Sequence, residues 1–240
     1  RKAVAICTAG LLVHAAQSVA LGLHDASRQR LKADGWRSAC ACLKWREAYA
    51  SGMVGCGQGL EYYFVTKSGT PWPKANAMLG GEFCNKFFRR IPDSFCVNAD
   101  QTDSSDGWNS RQWCYVSSEC SELGGGRPVP RSNVSWKLCA EGDELLRART
   151  PRDLDELRGS RDLALGLLAK FAYPVWQRDQ WPDVERFFIG DNRTAALAAE
   201  GRQDLEQVAL SGRPTVFNSR SGHPPFHVVA GGGGGKNDFT

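Results

Sequence analysis

The longest uncharged segment of the chain lies at its beginning. After a basic pair, the run from Ala3 to Leu23 carries no formal charge if His14 is neutral. A basic start, an apolar stretch and the small-residue triplet Ser18-Val-Ala20 are the parts of a signal peptide. The run also has the roughly 20 residues that a helix needs to cross a bilayer. The pattern predicts, for residues 1–24, either a signal-like segment or a single transmembrane helix, and both place the rest of the chain across a membrane.

Further along, the pattern predicts one helix followed by short strands. In the segment from Ser38 to Ala50, Cys42, Trp45 and Tyr49 recur at three- and four-residue spacing, which is typical of one face of a helix. From Cys56 onward, glycine, proline and asparagine interrupt the chain at roughly ten-residue intervals. That punctuation favours short strands joined by long loops.

The second half of the chain shows a series of helix signals. Thr150-Pro151 is typical of a helix N-terminus because threonine caps the helix and proline suits its first position. We expect a second helix to open at 160–162, a third at Trp181 and a fourth over 192–210. This part of the chain is therefore predicted to be a small helical region.

The last residues, 211–240, are rich in glycine and proline. Such a tail buries little of its own surface, so we expect it to become ordered by lying along another protein. The chain then divides into four segments: 1–24, a disulfide-rich domain over 25–143, a helical region over 144–210, and the extended tail. The predicted fold class is α+β, with an irregular disulfide-rich domain followed by a small helical region.

Composition excludes several classes of function. The 240 residues (26.3 kDa) are 42% hydrophobic and 23% charged, which is ordinary for a globular protein and unlike a disordered or collagen-like chain. Thirty basic and 26 acidic residues leave a net charge of +4, too small a surplus to indicate nucleic acid as a partner. The sequence has no nucleophile elbow, phosphate loop, dinucleotide fingerprint or HExxH motif, and we predict that the chain is not an enzyme.

The cysteines are the most informative residues. The stretch that holds them contains no Cys-x-x-Cys pair and no histidine, which argues against structural zinc and against a thioredoxin-type redox site, so we predict no metal site. An even set of eight in an exported chain predicts four disulfides, with 105 connectivities left open. Eight of the nine cysteines make up this set: Cys40, Cys42, Cys56, Cys84, Cys96, Cys114, Cys120 and Cys139.

Cysteine spacing limits the pairing further. Cys40 and Cys42 are one residue apart, so we expect them to bond to two different partners. Cys114 and Cys120 enclose the only short loop, and a bond between them is the arrangement that would give a strained, redox-active disulfide. The ninth cysteine, Cys7, lies in the apolar run and is interpreted as a small buried hydrophobe.

Three other features have both a binding and a structural interpretation. The stretch from Asp100 to Asp106 lacks the alternating ligand spacing and the closing glutamate of a calcium loop, and we interpret it as a solvated loop. Asn133-Val-Ser135 and Asn192-Arg-Thr194 match the acceptor pattern for N-glycosylation. Tryptophans could line a ligand groove, but we favour a core packed over the disulfides: Trp36, Trp45, Trp72, Trp108, Trp113 and Trp136.

Seven motifs stand out in combination: Cys42-Leu-Lys-Trp-Arg-Glu-Ala-Tyr49, Cys56-Gly-Gln-Gly-Leu-Glu61, Phe83-Cys84-Asn-Lys-Phe-Phe-Arg-Arg90, Cys96-Val-Asn98, Trp113-Cys-Tyr-Val-Ser-Ser118, Ser135-Trp-Lys-Leu-Cys139 and Leu165-Gly-Leu-Leu-Ala-Lys-Phe-Ala-Tyr-Pro174. Together they resemble a family of uncharacterised cysteine-rich proteins of dinoflagellate algae. The resemblance covers residues 40–188. It supplies no catalytic residues.

Members of that family look like lumenal accessory subunits that join a photosystem core to peridinin–chlorophyll antenna proteins. The resemblance implies a non-catalytic structural or linker subunit, in a photosystem I rather than a photosystem II assembly, on the lumenal side of the plastid thylakoid. The implied partners are photosystem core subunits, chlorophyll-binding antenna proteins and the thylakoid membrane.

The resemblance implies no cofactor that belongs to this chain, and chlorophyll or carotenoid would be met only through the assembly. His14 is a candidate ligand for a pigment metal if its segment spans the membrane; otherwise it is a neutral histidine near a helix end. The residues also fit an alternative function, a secreted disulfide-rich binding module of lectin-like or receptor-like type.

Overall fold

The computed structural model describes residues 39–104, 106–190, 199–218 and 226–229. The segment 1–24, with Cys7 and His14, and most of the tail lie outside the described residues. Among the residues that are described, no helix is long and apolar enough to cross a bilayer. The fold mixes helices with sheets and contains four disulfides, which confirms that part of the predicted class.

A four-stranded antiparallel sheet lies at the centre of the disulfide-rich part. Its strands, in the spatial order β1-β2-β4-β3, are β1 (Val97–Asn98), β2 (Gln112–Ser117), β3 (Arg127–Pro128) and β4 (Val134–Leu138). Strand β2 pairs with β4 from Trp113 to Ser117, with Cys114 opposite Lys137. Residues 112–116 are all buried, so β2 is covered on both faces.

Short helical segments precede the sheet. They are α1 (Trp45–Ala50), α2 (Tyr63–Thr66) and α3 (Trp72–Leu79), followed by a π-helical turn (Gly80–Asn85) and a 3-10 turn (Phe88–Arg90).

The helix predicted over 38–50 is wrong at its start. The helix that carries Trp45 and Tyr49 begins at Trp45, and its N-cap Lys44 is extended. Two tertiary interactions account for this: the Leu43 N–H donates to the Tyr115 carbonyl at 2.8 Å, and Cys42 is bonded to Cys114. Attachment to strand β2 therefore overrides the helical spacing of the sequence.

Among the described residues, four α-helices follow the sheet, after a 3-10 turn at Leu146–Ala148. They are α4 (Pro151–Arg161), α5 (Leu165–Ala172), α6 (Trp181–Phe188) and α7 (Ala199–Ser211). The predicted cap at Thr150 is confirmed, because its hydroxyl accepts from the Asp153 N–H at 3.2 Å and the Asp153 carboxylate accepts from the Thr150 N–H at 2.8 Å.

The second predicted helix is present as α5, but it begins at Leu165 and not at 160–162. Helix α4 continues to Arg161, and Asp162 ends it in the left-handed conformation with a φ of 52°. The Ser160 hydroxyl donates to the Leu157 carbonyl at 3.0 Å, so it does not cap a new helix.

The described part of the tail forms strands within this chain. Strands β6 (Thr215–Asn218) and β7 (Phe226–Val229) are antiparallel, and β6 pairs in parallel with β5 (Val175–Trp176). The expectation that the tail is ordered only by another protein is therefore wrong for these residues. The Val216 N–H also donates to the Pro174 carbonyl at 2.8 Å.

The centre of the core is aromatic, which confirms the core interpretation for three of the tryptophans. Trp45, Trp113 and Trp136 are buried, whereas Trp72 is 46% exposed. The Trp45 ring lies 5.0 Å from the Trp113 ring, edge to face, and its indole N–H donates to the Phe95 carbonyl at 2.8 Å. The core extends into the helical region, where Phe171 stacks on Phe87 at 4.5 Å.

The close approach of β3 and β4 depends on Gly126. A Cβ atom at this position would overlap the Trp136 carbonyl oxygen, which is backbone and cannot rotate away. We expect Gly126→Ala to lower the free energy of unfolding by about 2–3 kcal/mol, as overpacking does in cores. The control is Gly81→Ala, where a Cβ meets nothing within 4 Å and should leave stability unchanged or slightly higher. Equal stability of the two variants in denaturant titrations would contradict this view of the β3–β4 contact.

Candidate functional site

The eight cysteines that were predicted to be bonded form four disulfides: Cys40–Cys120, Cys42–Cys114, Cys56–Cys84 and Cys96–Cys139. Cys40 and Cys42 have different partners, as expected from their spacing. The Cys114–Cys120 bond that a strained, redox-active loop would require does not form, because these two cysteines are bonded to Cys42 and Cys40.

The disulfides close long loops. Their partners are 80, 72, 28 and 43 positions apart in the sequence. Closing a loop of that length stabilises a fold by about 3–4.5 kcal/mol per bond, through the entropy of the unfolded chain. Three of the four disulfides join a residue before the sheet to the sheet or its flanks, so the irregular segments are fixed to the strands.

Two of the disulfides are packed against each other. The Sγ atoms of Cys42, Cys96, Cys114 and Cys139, which we call the four-sulfur group, all lie within 4.8 Å of one another. Across the two bonds, the sulfurs of Cys42 and Cys96 lie 3.6 Å apart. Four thiolates at such distances would suit a tetrahedral metal ion, but a metal needs thiolates and these sulfurs are bonded in pairs. Sequence analysis missed the group because its members come from four separate segments.

Two open cavities flank the four-sulfur group. The larger, of about 880 Å³, is lined by Cys42 and by four carboxylates, from Glu122, Glu141, Asp143 and Glu144. Its single lysine, Lys137, is paired with Asp143 at 2.7 Å. We call this the acidic cavity.

The smaller cavity, of about 310 Å³, is lined by Cys139, Arg111 and Arg147. We call it the basic cavity. Leu138 and Ala140 line both cavities, so the two are adjacent.

Glu61 is a buried carboxylate beside the aromatic core. Glu61 is 1% exposed and accepts hydrogen bonds from the Tyr115 hydroxyl at 2.7 Å, the Tyr49 hydroxyl at 2.8 Å and the Gly59 N–H at 2.9 Å. Burial raises the pKa of Glu61 above its ordinary value, although the hydrogen bonds from Tyr115 and Tyr49 act in the opposite direction. Burial and the Glu61 charge also raise the pKa values of both tyrosines. This centre joins α1 and β2 to the loop between α1 and α2.

A lysine occupies the centre of the acidic stretch 100–106. The Lys67 ammonium donates to the Asp100 carboxylate, to the Ser104 hydroxyl at 2.7 Å, to the Thr102 hydroxyl at 3.0 Å and to the Asp106 carboxylate at 3.3 Å. Side chains at alternate positions of this loop converge on one cation, and the Asp100 side chain is fully buried. The prediction of a solvated loop that lacks alternating ligand spacing is therefore wrong. The cation belongs to the chain itself.

The pKa of Lys67 reflects these partners. Burial by itself lowers the pKa, but the hydrogen bonds and charges of Asp100 and Asp106 outweigh it, so the pKa of Lys67 is raised. The Ser104 hydroxyl and the Trp108 N–H lower the pKa of Asp106. Both shifts favour the charged forms of Lys67 and Asp106.

The two glycosylation triplets differ in what the structure describes. Asn133 is exposed in the turn before β4, whereas Asn192 lies outside the described residues.

Comparison of the chain with protein-family models, curated proteins and solved structures finds no match.

We expect Glu61 to make stability depend on pH. A carboxyl whose pKa is raised by folding gives stability that is complete below its unfolded pKa, about 4.3, and is lost as the pH rises through the folded value. The difference in unfolding free energy between wild type and Glu61→Gln should therefore shrink as the pH rises from about 4 to about 7. Tyr115→Phe is the matched variant, since it removes a donor that lowers the pKa and should extend the decline to higher pH. A constant difference across this range would contradict the raised pKa.

We expect Lys67 to be essential for stability. Lys67→Met leaves the buried Asp100 carboxylate unpaired and should lower the free energy of unfolding by about 3 kcal/mol. The control is Lys44→Met, which breaks an exposed ion pair with Glu47 and should cost less than about 1 kcal/mol. Adding Asp100→Asn to Lys67→Met should recover part of the loss. Equal effects of the two single variants in denaturant titrations would contradict the role of Lys67.

Proposed function

We propose that this chain is a non-catalytic structural subunit on the lumenal side of a photosystem–antenna assembly, in photosystem I rather than photosystem II. Its role is mechanical: it presents a rigid, irregular surface on which core and antenna proteins dock. The sequence resemblance suggests this function. The observation that carries it is the set of four disulfides that fix long irregular segments to a small sheet.

A surface that is already ordered binds partners with a smaller entropic cost. The loop between α1 and α2 is held by Cys56 and by the Glu61 centre, and the segment after β4 is held by Cys139. These loops therefore keep one shape before a partner arrives. That property is expected of a linker between larger proteins.

Large apolar side chains on the surface support contact with other proteins. Trp72 is 46% exposed, Met78 60%, Ile189 58% and Leu210 80%. The Trp72 ring is held in place although it is half exposed, because its indole N–H donates to the Gly57 carbonyl at 2.6 Å. Fixed aromatic side chains of this kind are common at the centres of protein interfaces.

The oxidised cysteines support a lumenal location. Every cysteine among the described residues is in a disulfide, and such bonds persist in oxidising compartments. A thylakoid lumen meets this requirement, and so does the exterior of the cell. The second location belongs to the alternative function, a secreted binding module, which the exposed Asn133 and the open acidic cavity favour.

Fractionation of native membranes tests the proposal. Detergent-solubilised membranes are separated on a gradient, and the chain is located and identified in the fractions by mass spectrometry. We expect it to co-migrate with a pigmented photosystem band because it is bound to core and antenna. A soluble, glycosylated chain away from the pigmented bands would overturn the photosystem assignment and leave the binding module.

Reduction tests the mechanical role separately. Mild dithiothreitol treatment of the isolated assembly should release antenna from the core at a lower temperature than in an untreated sample, because the docking surface loses its shape. Mapping of the four disulfides in the same sample shows which bonds have opened. Unchanged assembly and thermal stability after these bonds open would rule out the scaffold role.

A further inference from the structure

The four-sulfur group brings two disulfides into contact. The Cys42 and Cys96 sulfurs belong to different bonds but lie 3.6 Å apart, which is van der Waals contact for two sulfurs. The other two disulfides, Cys40–Cys120 and Cys56–Cys84, are not members of the group. Contact between two disulfides is the starting arrangement for exchange, because a thiolate freed from one bond would face a sulfur of the other.

Backbone hydrogen bonds hold the four cysteines independently of the disulfides. The Leu43 N–H, next to Cys42, donates to the Tyr115 carbonyl at 2.8 Å, next to Cys114. The Cys139 N–H donates to the Gln112 carbonyl at 2.8 Å, and the Cys96 N–H donates to the Glu144 carbonyl at 2.7 Å. Opening one disulfide would therefore leave its sulfurs close to those of the other.

Solvent reaches only two of the four cysteines in the four-sulfur group. Cys96 and Cys114 are fully buried, whereas Cys42 and Cys139 are partly exposed. Cys42 lines the acidic cavity and Cys139 lines the basic cavity. The exposed ends of the two touching disulfides thus open into different cavities.

The charges of the two cavities favour a thiolate at Cys139. Four carboxylates line the cavity of Cys42, and although Asp143 is paired with Lys137 and Glu144 with Arg149, the carboxylates of Glu122 and Glu141 add negative charge that disfavours a thiolate there. Arg111 and Arg147 line the cavity of Cys139, and cations nearby stabilise a thiolate. Among the described residues, neither arginine is paired with a carboxylate: Arg111 lies over the Trp108 ring at 5.4 Å, and Arg147 donates to the Ser110 carbonyl at 2.5 Å.

We infer that the four-sulfur group is a disulfide-exchange relay that passes reduction from Cys42 in the acidic cavity to Cys139 in the basic cavity. An external dithiol first reduces Cys42–Cys114, giving two thiols and the oxidised dithiol. The Cys42 thiolate then attacks the Cys96 sulfur, so that a Cys42–Cys96 bond forms, the Cys96–Cys139 bond breaks and Cys139 leaves as a thiolate. The second step moves an electron pair without net oxidation or reduction.

The relay can be tested without a reductant by removing Cys114. All proteins carry Cys7→Ser, so that the opened bond supplies the one free thiol. In Cys114→Ala, we expect the Cys42 thiol to displace Cys139, so that after trapping with N-ethylmaleimide in mildly acidic denaturant most of the label is on Cys139. Peptide mapping should recover a Cys42–Cys96 disulfide.

The reciprocal variant and a control complete the test. In Cys139→Ala, the freed Cys96 thiol faces Cys42 of the other bond, so peptide mapping should again recover a Cys42–Cys96 disulfide, with label on Cys114. In Cys84→Ala, the freed Cys56 has no second disulfide of the group beside it and should itself carry the label. Label mainly on Cys42 in Cys114→Ala, with no Cys42–Cys96 disulfide in either variant, would overturn the relay.

If a variant does not fold, the relay can still be tested by partial reduction of the protein that keeps all eight disulfide cysteines. The Cys7→Ser protein is treated with less than one equivalent of dithiothreitol, quenched with acid and mapped. A Cys42–Cys96 peptide with free Cys114 and Cys139 is the expected product. Recovery of only native bonds and native pairs of free thiols would overturn the relay.

Discussion

The structure depends on the burial of strand β2 on both of its faces. A strand in that position needs partners for its polar groups among the elements around it. The Gln112 amide donates to the Asn98 side chain at 3.0 Å and to the Ala172 carbonyl at 3.2 Å, which ties the strand to the end of α5. Tyr115 donates to Glu61, and Cys114 bonds to Cys42. The sheet, the helices and the irregular segments thus share one strand as their point of attachment.

Features that arise from neighbouring residues could be predicted from the sequence, and those that arise from distant residues could not. The Thr150 cap involves atoms three residues apart, so the local pattern was sufficient. Cys42 has helical spacing, but its disulfide and the adjoining hydrogen bond to β2 keep the chain extended. The number of disulfides followed from the cysteine count, whereas their pairing required the positions of the strands.

The candidate sites depend even more on residues that are distant in the sequence, so they could not be predicted from local patterns. The alternating polar residues of 100–106 resemble a cation loop only when Lys67, more than 30 positions earlier, is placed among them. Its ammonium supplies the positive charge that the loop requires, since a buried Asp100 without a cation would be costly. The four-sulfur group likewise draws its members from segments separated by up to 97 positions, from Cys42 to Cys139.

The fold can stay rigid while disulfide exchange takes place within it. Exchange within the four-sulfur group replaces one bond with another, so the number of cross-links among its segments does not change during the second step. The Cys40–Cys120 and Cys56–Cys84 bonds lie outside the group and continue to hold the segments before the sheet. What changes is the attachment of Cys139, which anchors the segment that separates the acidic and basic cavities. A scaffold built in this way can keep most of its surface fixed while one loop responds to the thiol state of its surroundings.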